Sequence, residues 1–132
     1  MALYMDSSAL VKLVIRESDS DQLRRFVGDR EMATSQISRV ELIRAVARNQ
    51  PDSVDAAQDL LSELTLISLS RVITSRAAWV PPPSLRSLDA LHVASANTMR
   101  DSLDALVTYD VPMIEAGPLA LLRVASPGVR SE

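Results

Sequence analysis

The sequence predicts a single α/β domain in which helices cover both faces of a parallel sheet. Short apolar segments alternate along the chain with longer segments of helical periodicity, and this alternation is typical of parallel sheets. The 132 residues are 47% hydrophobic, which is enough apolar surface for one core, and no repeat or linker divides them. We therefore expect one domain over residues 1–132.

The first half of the chain places short strands between helices with clear apolar periodicity. Residues 2–5 form an apolar run that ends at Asp6, and apolar residues then recur at helical spacing. The segment Ser38-Arg39-Val40-Glu41 matches a capping box, so Ser38 is predicted to be an N-cap. The predicted elements in order are a strand at 2–5, helices at 7–15 and 19–30, a strand at 32–34, and helices at 38–50 and 52–64.

The second half of the chain is organised around one buried helix. Residues 87–96 are apolar nearly all round, which predicts a buried helix with Ser87 as its N-cap. Asp89 falls in its first turn, where the helix dipole favours an anion. Gly117-Pro118 is predicted to end the last helix. The predicted elements in order are a strand at 66–69, helices at 71–80 and 87–96, a strand at 105–108, a helix at 111–116 and an edge strand at 120–124.

The composition excludes several classes of protein. Cysteine is absent, which excludes disulfides and thiolate metal sites, and aromatic residues make up 3%, too few for a base-stacking surface. No apolar run is long enough to span a membrane, so we expect a soluble cytoplasmic protein. The net charge of -3 argues against simple electrostatic adhesion to nucleic acid, although 13 of the 14 basic residues are arginines, whose planar fork suits phosphate.

Four acidic residues stand where strands end or helices begin. Asp6 and Asp110 directly follow predicted strands, whereas Glu41 and Asp89 lie at helix starts. The carboxyl ends of parallel strands meet at one edge of a sheet, so these four side chains can converge there. Two carboxylates about 4 Å apart repel by about 4 kcal/mol at an effective dielectric constant of about 20. A converged set therefore needs a cation, and oxygen ligands select Mg²⁺ or Mn²⁺.

Each acid also has a purely structural interpretation. Asp6 can be a helix N-cap, Glu41 a capping-box residue, Asp89 a first-turn anion and Asp110 a turn residue. Taken one at a time, these interpretations explain the acids without any site.

The motifs around the acids resemble those of the PIN-domain nucleases, and especially of the VapC toxins. YMDSSALVKL resembles the first motif of that family, SRVELIRA the second, LRSLDALHVASA the third and most specific, and LVTYD the fourth. The resemblance implies a PIN-like three-layer α/β/α sandwich around a central parallel sheet. It also implies a metal-dependent endoribonuclease, using Mg²⁺ or Mn²⁺, whose catalytic and metal-binding residues are Asp6, Glu41, Asp89 and Asp110.

The same resemblance implies further site residues and partners. Thr108 matches a hydroxyl often found beside the site, while Val111-Pro112-Met113 stands where the family often has a basic or polar stretch. VapC toxins pair with a small VapB-like antitoxin, so we expect that partner, a homodimer, a toxin–antitoxin hetero-oligomer and an RNA substrate, with transfer or ribosomal RNA favoured. Arg39 and Arg44 flank Glu41 and are candidate RNA contacts.

The apolar positions of the early helices exceed the evident need of one small core, which indicates surfaces for the antitoxin or for a second copy. These positions include Leu10, Leu13, Val14, Val40 and Ile43.

His92 lies one helical turn after Asp89 and is predicted to be a packed, hydrogen-bonded core residue. A receiver domain needs a lysine after its last strand, but the only lysine is Lys12, and the three glycines form no phosphate-binding loop. Two alternatives to an RNase remain open: a DNA-directed nuclease of the same fold, and a catalytically idle PIN-like interaction module.

Overall fold

Within residues 1–129, the part of the chain described by this computed structural model, five parallel strands form a central sheet. Residues 130–132 of the predicted domain lie outside the described residues. The strand order is β3-β2-β1-β4-β5, and each neighbouring pair is parallel. The strands are β1 (Ala2–Met5), β2 (Met32–Ser35), β3 (Thr65–Ile67), β4 (Leu103–Val107) and β5 (Val124–Ala125).

The helices cover both faces of this sheet, as predicted. Leu3 and Met5 of β1 pack in one core with the first four helices, while Tyr4 between them packs in a second core with the last two. This alternation follows the two-residue period of a strand. The helices are α1 (Ser7–Val14), α2 (Ser20–Val27), α3 (Ile37–Asn49), α4 (Val54–Glu63), α5 (Arg71–Ala77), α6 (Ser87–Asn97) and α7 (Val111–Leu119).

The chain changes direction across the sheet between β1 and β4. From β1 it proceeds outward to β2 and β3, and it then crosses to β4 and proceeds outward to β5 on the other side. Ligands bind at such a switch point, beyond the carboxyl ends of the two diverging strands. Asp6 directly follows β1, and Thr108 directly follows β4.

Two predicted helix starts were wrong by one residue each. Helix α3 begins at Ile37, so Ser38 lies inside the first turn, and its hydroxyl bonds to the Thr34 hydroxyl at 2.6 Å instead of capping the helix. Ser87 is the first helical residue of α6, and Arg86 occupies the cap position without a side-chain hydrogen bond. At Ser38 the tertiary bond to Thr34 displaced the local capping preference.

The predicted end of the last helix was also wrong, since α7 continues through Gly117 and Pro118 to Leu119. Pro118 lies in the final turn, where the missing amide removes a single helical bond. A side chain at Gly117 would collide with the Val124 side chain, so this glycine allows α7 to lie close against β5. The edge strand is accordingly shorter than predicted.

Most of the apolar residues on α1 and α3 that were predicted to form a surface are packed against the core. Leu10 is fully buried, and Leu13, Val14 and Ile43 are packed against the same core, whereas Val40 alone of the five is largely exposed, at 59%. The fully buried Leu10 is thus not available to a partner, and the use of the remaining positions as an interface stays a prediction. No helix among the described residues is long and apolar enough to cross a membrane.

Candidate active site

Asp6 lies at the corner between β1 and α1 and is 3% exposed. Its Oδ1 accepts hydrogen bonds from the Ala9 amide at 3.0 Å and the Ser8 hydroxyl at 2.7 Å, and its Oδ2 accepts one from the Thr108 hydroxyl at 2.7 Å. Burial raises the pKa of Asp6, although these hydrogen bonds favour its ionised form. Asp6 thus caps α1, as its structural interpretation predicted, and also bonds across to the loop that follows β4.

The loop after β4 is tied to the same corner. The Thr108 hydroxyl accepts a hydrogen bond from the Asp110 amide at 3.1 Å, and the Ser8 hydroxyl accepts one from the Tyr109 amide at 2.9 Å. Asp110 stands at the cap position of α7, but its side chain makes no capping bond. Among the described residues, its buried Oδ2 has no hydrogen-bond partner. A buried carboxylate oxygen in this condition is a candidate cation ligand.

Glu41 is fixed by two other helices. Its Oε1 accepts a hydrogen bond from the Ser7 hydroxyl of α1 at 2.6 Å and lies 2.7 Å from His92 Nε2 of α6. Burial opposes ionisation of Glu41, but the bonds from His92 and Ser7 outweigh it and lower the pKa. Glu41 therefore bonds to side chains of two other helices. The capping-box interpretation required it to bond to a backbone amide at the start of its own helix, so that interpretation was wrong.

Asp89 lies in the first turn of α6 and is partly exposed. Its pKa is raised, first by burial and then by the negative charges of Asp110, Asp6 and Glu41. A carboxylate responds in this way only to charges that lie nearby. Thr108 bonds to both Asp6 and the amide of Asp110, and His92 bonds Glu41 to the helix that carries Asp89, so the fold places the four acids at one edge of the sheet.

The donor set suits a hard divalent cation without forming a closed cage. Within residues 1–129 no three His, Cys, Asp or Glu side chains already surround one metal position. Mg²⁺ is usually bound through one or two carboxylates and retains several waters, so an open cluster of oxygen donors suits it. The unpaired Oδ2 of Asp110 and the mutual repulsion felt at Asp89 are both features that a cation would relieve.

His92 contacts the site in a way that the sequence did not predict. It is 2% exposed and hydrogen-bonded, which confirms the prediction of a packed core residue. Its Nδ1 lies 2.7 Å from the Tyr4 hydroxyl, and its Nε2 reaches Glu41. The available signal was the spacing from Asp89, since residues three apart share a side of a helix.

The two candidate RNA contacts lie on different sides of α3. Arg39 lines a shallow groove between α3 and α4 together with Ile43 and Gln58. Arg44 is exposed and follows Glu41 by three residues, which places it on the same side of the helix as that acid. Of the two, Arg44 is the better placed for a ligand at the acidic cluster.

Lys12 of α1 contacts the loop that follows β4. Lys12 Nζ lies 2.7 Å from a carboxylate oxygen of Glu17 and 3.0 Å from one of Asp19, and 4.6 Å from the centre of the Tyr109 ring. The Tyr109 hydroxyl donates to the carbonyl of Pro127 at 2.7 Å. These contacts hold the loop between Thr108 and Asp110 against α1.

The chain resembles known proteins over almost its whole length. Residues 3–116 match the PIN domain family. The chain is 41% identical over 131 residues to Ribonuclease VapC35 of Mycobacterium tuberculosis, a match that covers 96% of this chain and 97% of that protein. It is 39% identical over 132 residues to Ribonuclease VapC47 of the same species, again covering 96% and 97%. A chain from a toxin–antitoxin complex of Klebsiella pneumoniae has a similar fold, with a TM-score of 0.73, 23% identity, and coverage of 96% of this chain and 98% of that one.

Proposed function

The chain belongs to the PIN-domain family, and from this premise we propose that it is a divalent-metal-dependent endoribonuclease toxin of the VapC type. The observation that carries the proposal is the convergence of the acids: the Thr108 hydroxyl bonds to both Asp6 and the amide of Asp110, whose buried Oδ2 is unpaired among the described residues, and His92 bonds Glu41 to the helix that carries Asp89. Such a cluster destabilises the folded chain unless a cation offsets its charge, and perturbed acids in a cluster are typical of active sites. Relatives that are 41% and 39% identical are named ribonucleases.

In this proposal the four acids hold the cation, Mg²⁺ or Mn²⁺. When bound, such a cation lowers the pKa of a water molecule and offsets the negative charge of a phosphoryl group. Within residues 1–129 both hydrogen bonds of Glu41 use Oε1, which leaves Oε2 for this purpose. Asp110 offers its unpaired Oδ2. Thr108 and Ser8 hold Asp6 in one orientation, so its position does not depend on the ligand.

The reaction that these residues support is hydrolysis of an RNA phosphodiester bond. A water that attacks phosphorus must lose a proton, and Asp89 is the carboxylate best suited to accept it. Its side chain is partly exposed, so it reaches both solvent and the cluster. Arg44 lies within one helical turn of Glu41 and is the candidate phosphate contact. The family resemblance favours transfer or ribosomal RNA as the substrate.

A VapB-like antitoxin is the partner that the proposal requires. A nuclease that acts on RNA in its own cytoplasm must be inhibited until it is needed. An anionic cluster attracts an arginine or lysine, so a basic residue of the antitoxin can compete with the cation for the acids. We expect the toxin to form a homodimer and to assemble with the antitoxin into a hetero-oligomer.

Cleavage of purified RNA tests the enzymatic part of the proposal. The protein is incubated with total cellular RNA in Mg²⁺, in Mn²⁺ or in excess EDTA, and the new ends are mapped. We expect cleavage with either metal, none in EDTA, and none by an Asp89→Asn variant. Cleavage in EDTA or by that variant would contradict the mechanism. Cleavage of DNA alone would favour the DNA nuclease, and no cleavage of either would favour the idle interaction module.

Expression in cells tests the toxin part separately. The intact chain alone should arrest growth, and co-expression of a small protein encoded beside it should restore growth and co-purify with it. An Asp89→Asn variant should bind that protein without arresting growth. Harmless expression together with the absence of a bound neighbour would refute the toxin assignment even where RNA cleavage is observed.

A further inference from the structure

A buried line of polar groups runs from the sheet to the candidate active site. It begins at the Ser35 amide of β2, passes through the Tyr4 hydroxyl of β1 and the imidazole of His92, and ends at the carboxylate of Glu41. The three distances along it are 3.0, 2.7 and 2.7 Å. Ser35, Tyr4 and His92 are almost completely inaccessible to solvent.

The direction of each hydrogen bond follows from its two ends. The Ser35 amide can only donate, so the Tyr4 oxygen accepts from it. A carboxylate oxygen of Glu41 can only accept, so His92 Nε2, 2.7 Å away, carries a proton and donates. With the imidazole proton on Nε2, Nδ1 is an acceptor, and the Tyr4 hydroxyl donates to it. Each group in the line is then satisfied.

This arrangement fixes which oxygen of Glu41 is available. Oε1 accepts from Ser7 and from His92, and it is therefore fully occupied on the side of α1 and α6. Oε2 takes no part in these bonds. His92 also follows Asp89 by one turn of α6, so the helix that carries one acid of the cluster orients a second acid.

We propose that His92 is a positioning residue that holds the Glu41 carboxylate with Oε2 free for the cation. The inference rests on the proposed function, because it assigns His92 a role toward the same cluster. His92 touches neither cation nor substrate in this scheme and acts only through Glu41. Partners of this kind, which orient a metal-binding carboxylate, typically change metal affinity by about 10-fold to 100-fold when they are removed.

The competing explanation is that His92 only fills space in the core. The two explanations differ in what they require of a substitute. A positioning role requires an N–H donor at the place of Nε2, whereas a packing role requires volume. Glutamine carries its amide nitrogen close to the place of Nε2, and asparagine carries its amide only as far as the place of Nδ1. His92→Gln and His92→Asn are therefore a matched pair that separates the donor from the bulk.

Binding of Mn²⁺ is measured for the intact protein by titration calorimetry, with the thermal midpoint of each variant recorded alongside. We expect His92→Asn to weaken Mn²⁺ binding by about tenfold or more and His92→Gln to keep it within about threefold of wild type. Val93→Ala, a core change on the same helix, should lower the midpoint without changing Mn²⁺ affinity. Wild-type affinity in both His92 variants, or an equal loss in both, would overturn the proposal.

A second measurement needs neither metal nor activity. His92 is the only histidine of the chain, so a long-range ¹H–¹⁵N spectrum of the metal-free protein contains the signals of one imidazole. We expect a proton on Nε2 that is slow to exchange with solvent, and faster exchange of that proton in a Glu41→Ala variant. An Nε2 without a proton would overturn the proposal.

The two measurements separate this proposal from the proposed function. If the wild type neither binds Mn²⁺ nor cleaves RNA, the proposed function fails, and the imidazole spectrum still decides whether His92 holds Glu41. If the wild type does both and the His92 variants match it, only the positioning role is refuted.

Discussion

Asp6 and Glu41 are both fixed by side-chain hydrogen bonds at the edge of the acidic cluster, yet their pKa values shift in opposite directions. At the β1–β4 corner Asp6 accepts three hydrogen bonds from neutral donors, yet its burial raises its pKa. At the contact of α3 with α6, Glu41 is less buried, and its bonds from His92 and Ser7 outweigh burial and lower its pKa. The number of hydrogen bonds therefore does not set the direction of the shift. The balance between desolvation and the strength of the partners sets it.

The largest expected effect is the loss of RNA cleavage when either carboxylate is neutralised. Asp6→Asn and Glu41→Gln should each reduce RNA cleavage by at least about a hundredfold, the scale of losing one electrostatic group from an active site. The reason is that, in the proposed mechanism, both carboxylates hold the same cation. Initial rates at saturating Mg²⁺ measure the effect, and Asp21→Asn, an exposed acid paired with Arg16, is the control. Full activity in either cluster variant would remove that acid from the mechanism.

A smaller effect is expected from the hydroxyl that joins β1 to β4. Thr108→Val should lower the free energy of unfolding by about 1–3 kcal/mol, because it deprives the buried Oδ2 of Asp6 and the Asp110 amide of their partner. Thr108→Ser keeps the hydroxyl and should lose less. Urea unfolding of the metal-free protein measures both, and equal stability of the valine variant and the wild type would show that these bonds contribute nothing net.

The pH dependence of stability sharpens the comparison directly. The raised pKa of Asp6 means that the folded chain binds its proton more tightly than the unfolded chain does, so stability falls as pH rises above the ordinary value of 3.8. The lowered pKa of Glu41 has the opposite effect, because its contribution is present above the ordinary value of 4.5 and is lost as pH falls through the folded pKa.

Metal-free variants should therefore move in opposite directions as pH rises to neutral. Relative to wild type, we expect the midpoint of Asp6→Asn to rise between about pH 4 and neutral pH and that of Glu41→Gln to fall, each by a few degrees, which corresponds to about 1 kcal/mol in a domain of this size. Asparagine caps a helix as well as aspartate does, so the start of α1 is retained in the first variant. Calorimetric scans at neutral pH and near pH 4 measure the difference, which should shrink at the lower pH. Midpoints that move together would refute the contrast.

The smallest expected effect concerns the rim of the cluster. Arg44→Gln should weaken RNA binding and reduce the slope of log affinity against log salt by about one, because one phosphate contact is lost. Arg39→Gln is the matched control, since Arg39 lies in the groove between α3 and α4 and should leave the slope unchanged. Binding is measured in Ca²⁺ or with an Asp89→Asn background to prevent cleavage. A larger loss from Arg39 than from Arg44 would place the RNA on the other side of α3.

The sequence predicted the layers of the fold and the four acidic residues, because both depend on patterns within short segments of the chain. Alternating apolar segments set the strands and helices, and the acids stand in recognisable motifs. The capping box at Ser38 was wrong because Thr34, on the strand before α3, offers that hydroxyl a buried partner. Gly117 was misread as a helix end because the side chain it must avoid, Val124, belongs to a strand whose position the sequence does not reveal.

The hydrogen bond between His92 and Glu41 could not be predicted from local sequence patterns. The two residues are separated by 51 positions, and the contact exists only once α3 and α6 are packed around the sheet. A buried histidine on an apolar helix has many possible partners, and periodicity does not choose among them. The roles of the four acids as cation ligands likewise stay predictions, which the variants above test.

The hydrogen bond between Asp6 and Thr108 joins residues that are 102 positions apart and that directly follow the neighbouring strands β1 and β4. A chain emerging from the ribosome presents Asp6, Glu41 and Asp89 well before the strand that must lie beside β1 has been synthesised. Contacts of such high sequence separation form late in folding. The proposed nuclease consequently has no assembled site during most of its own translation, and a prematurely terminated product that lacks β4 would be inert toward RNA.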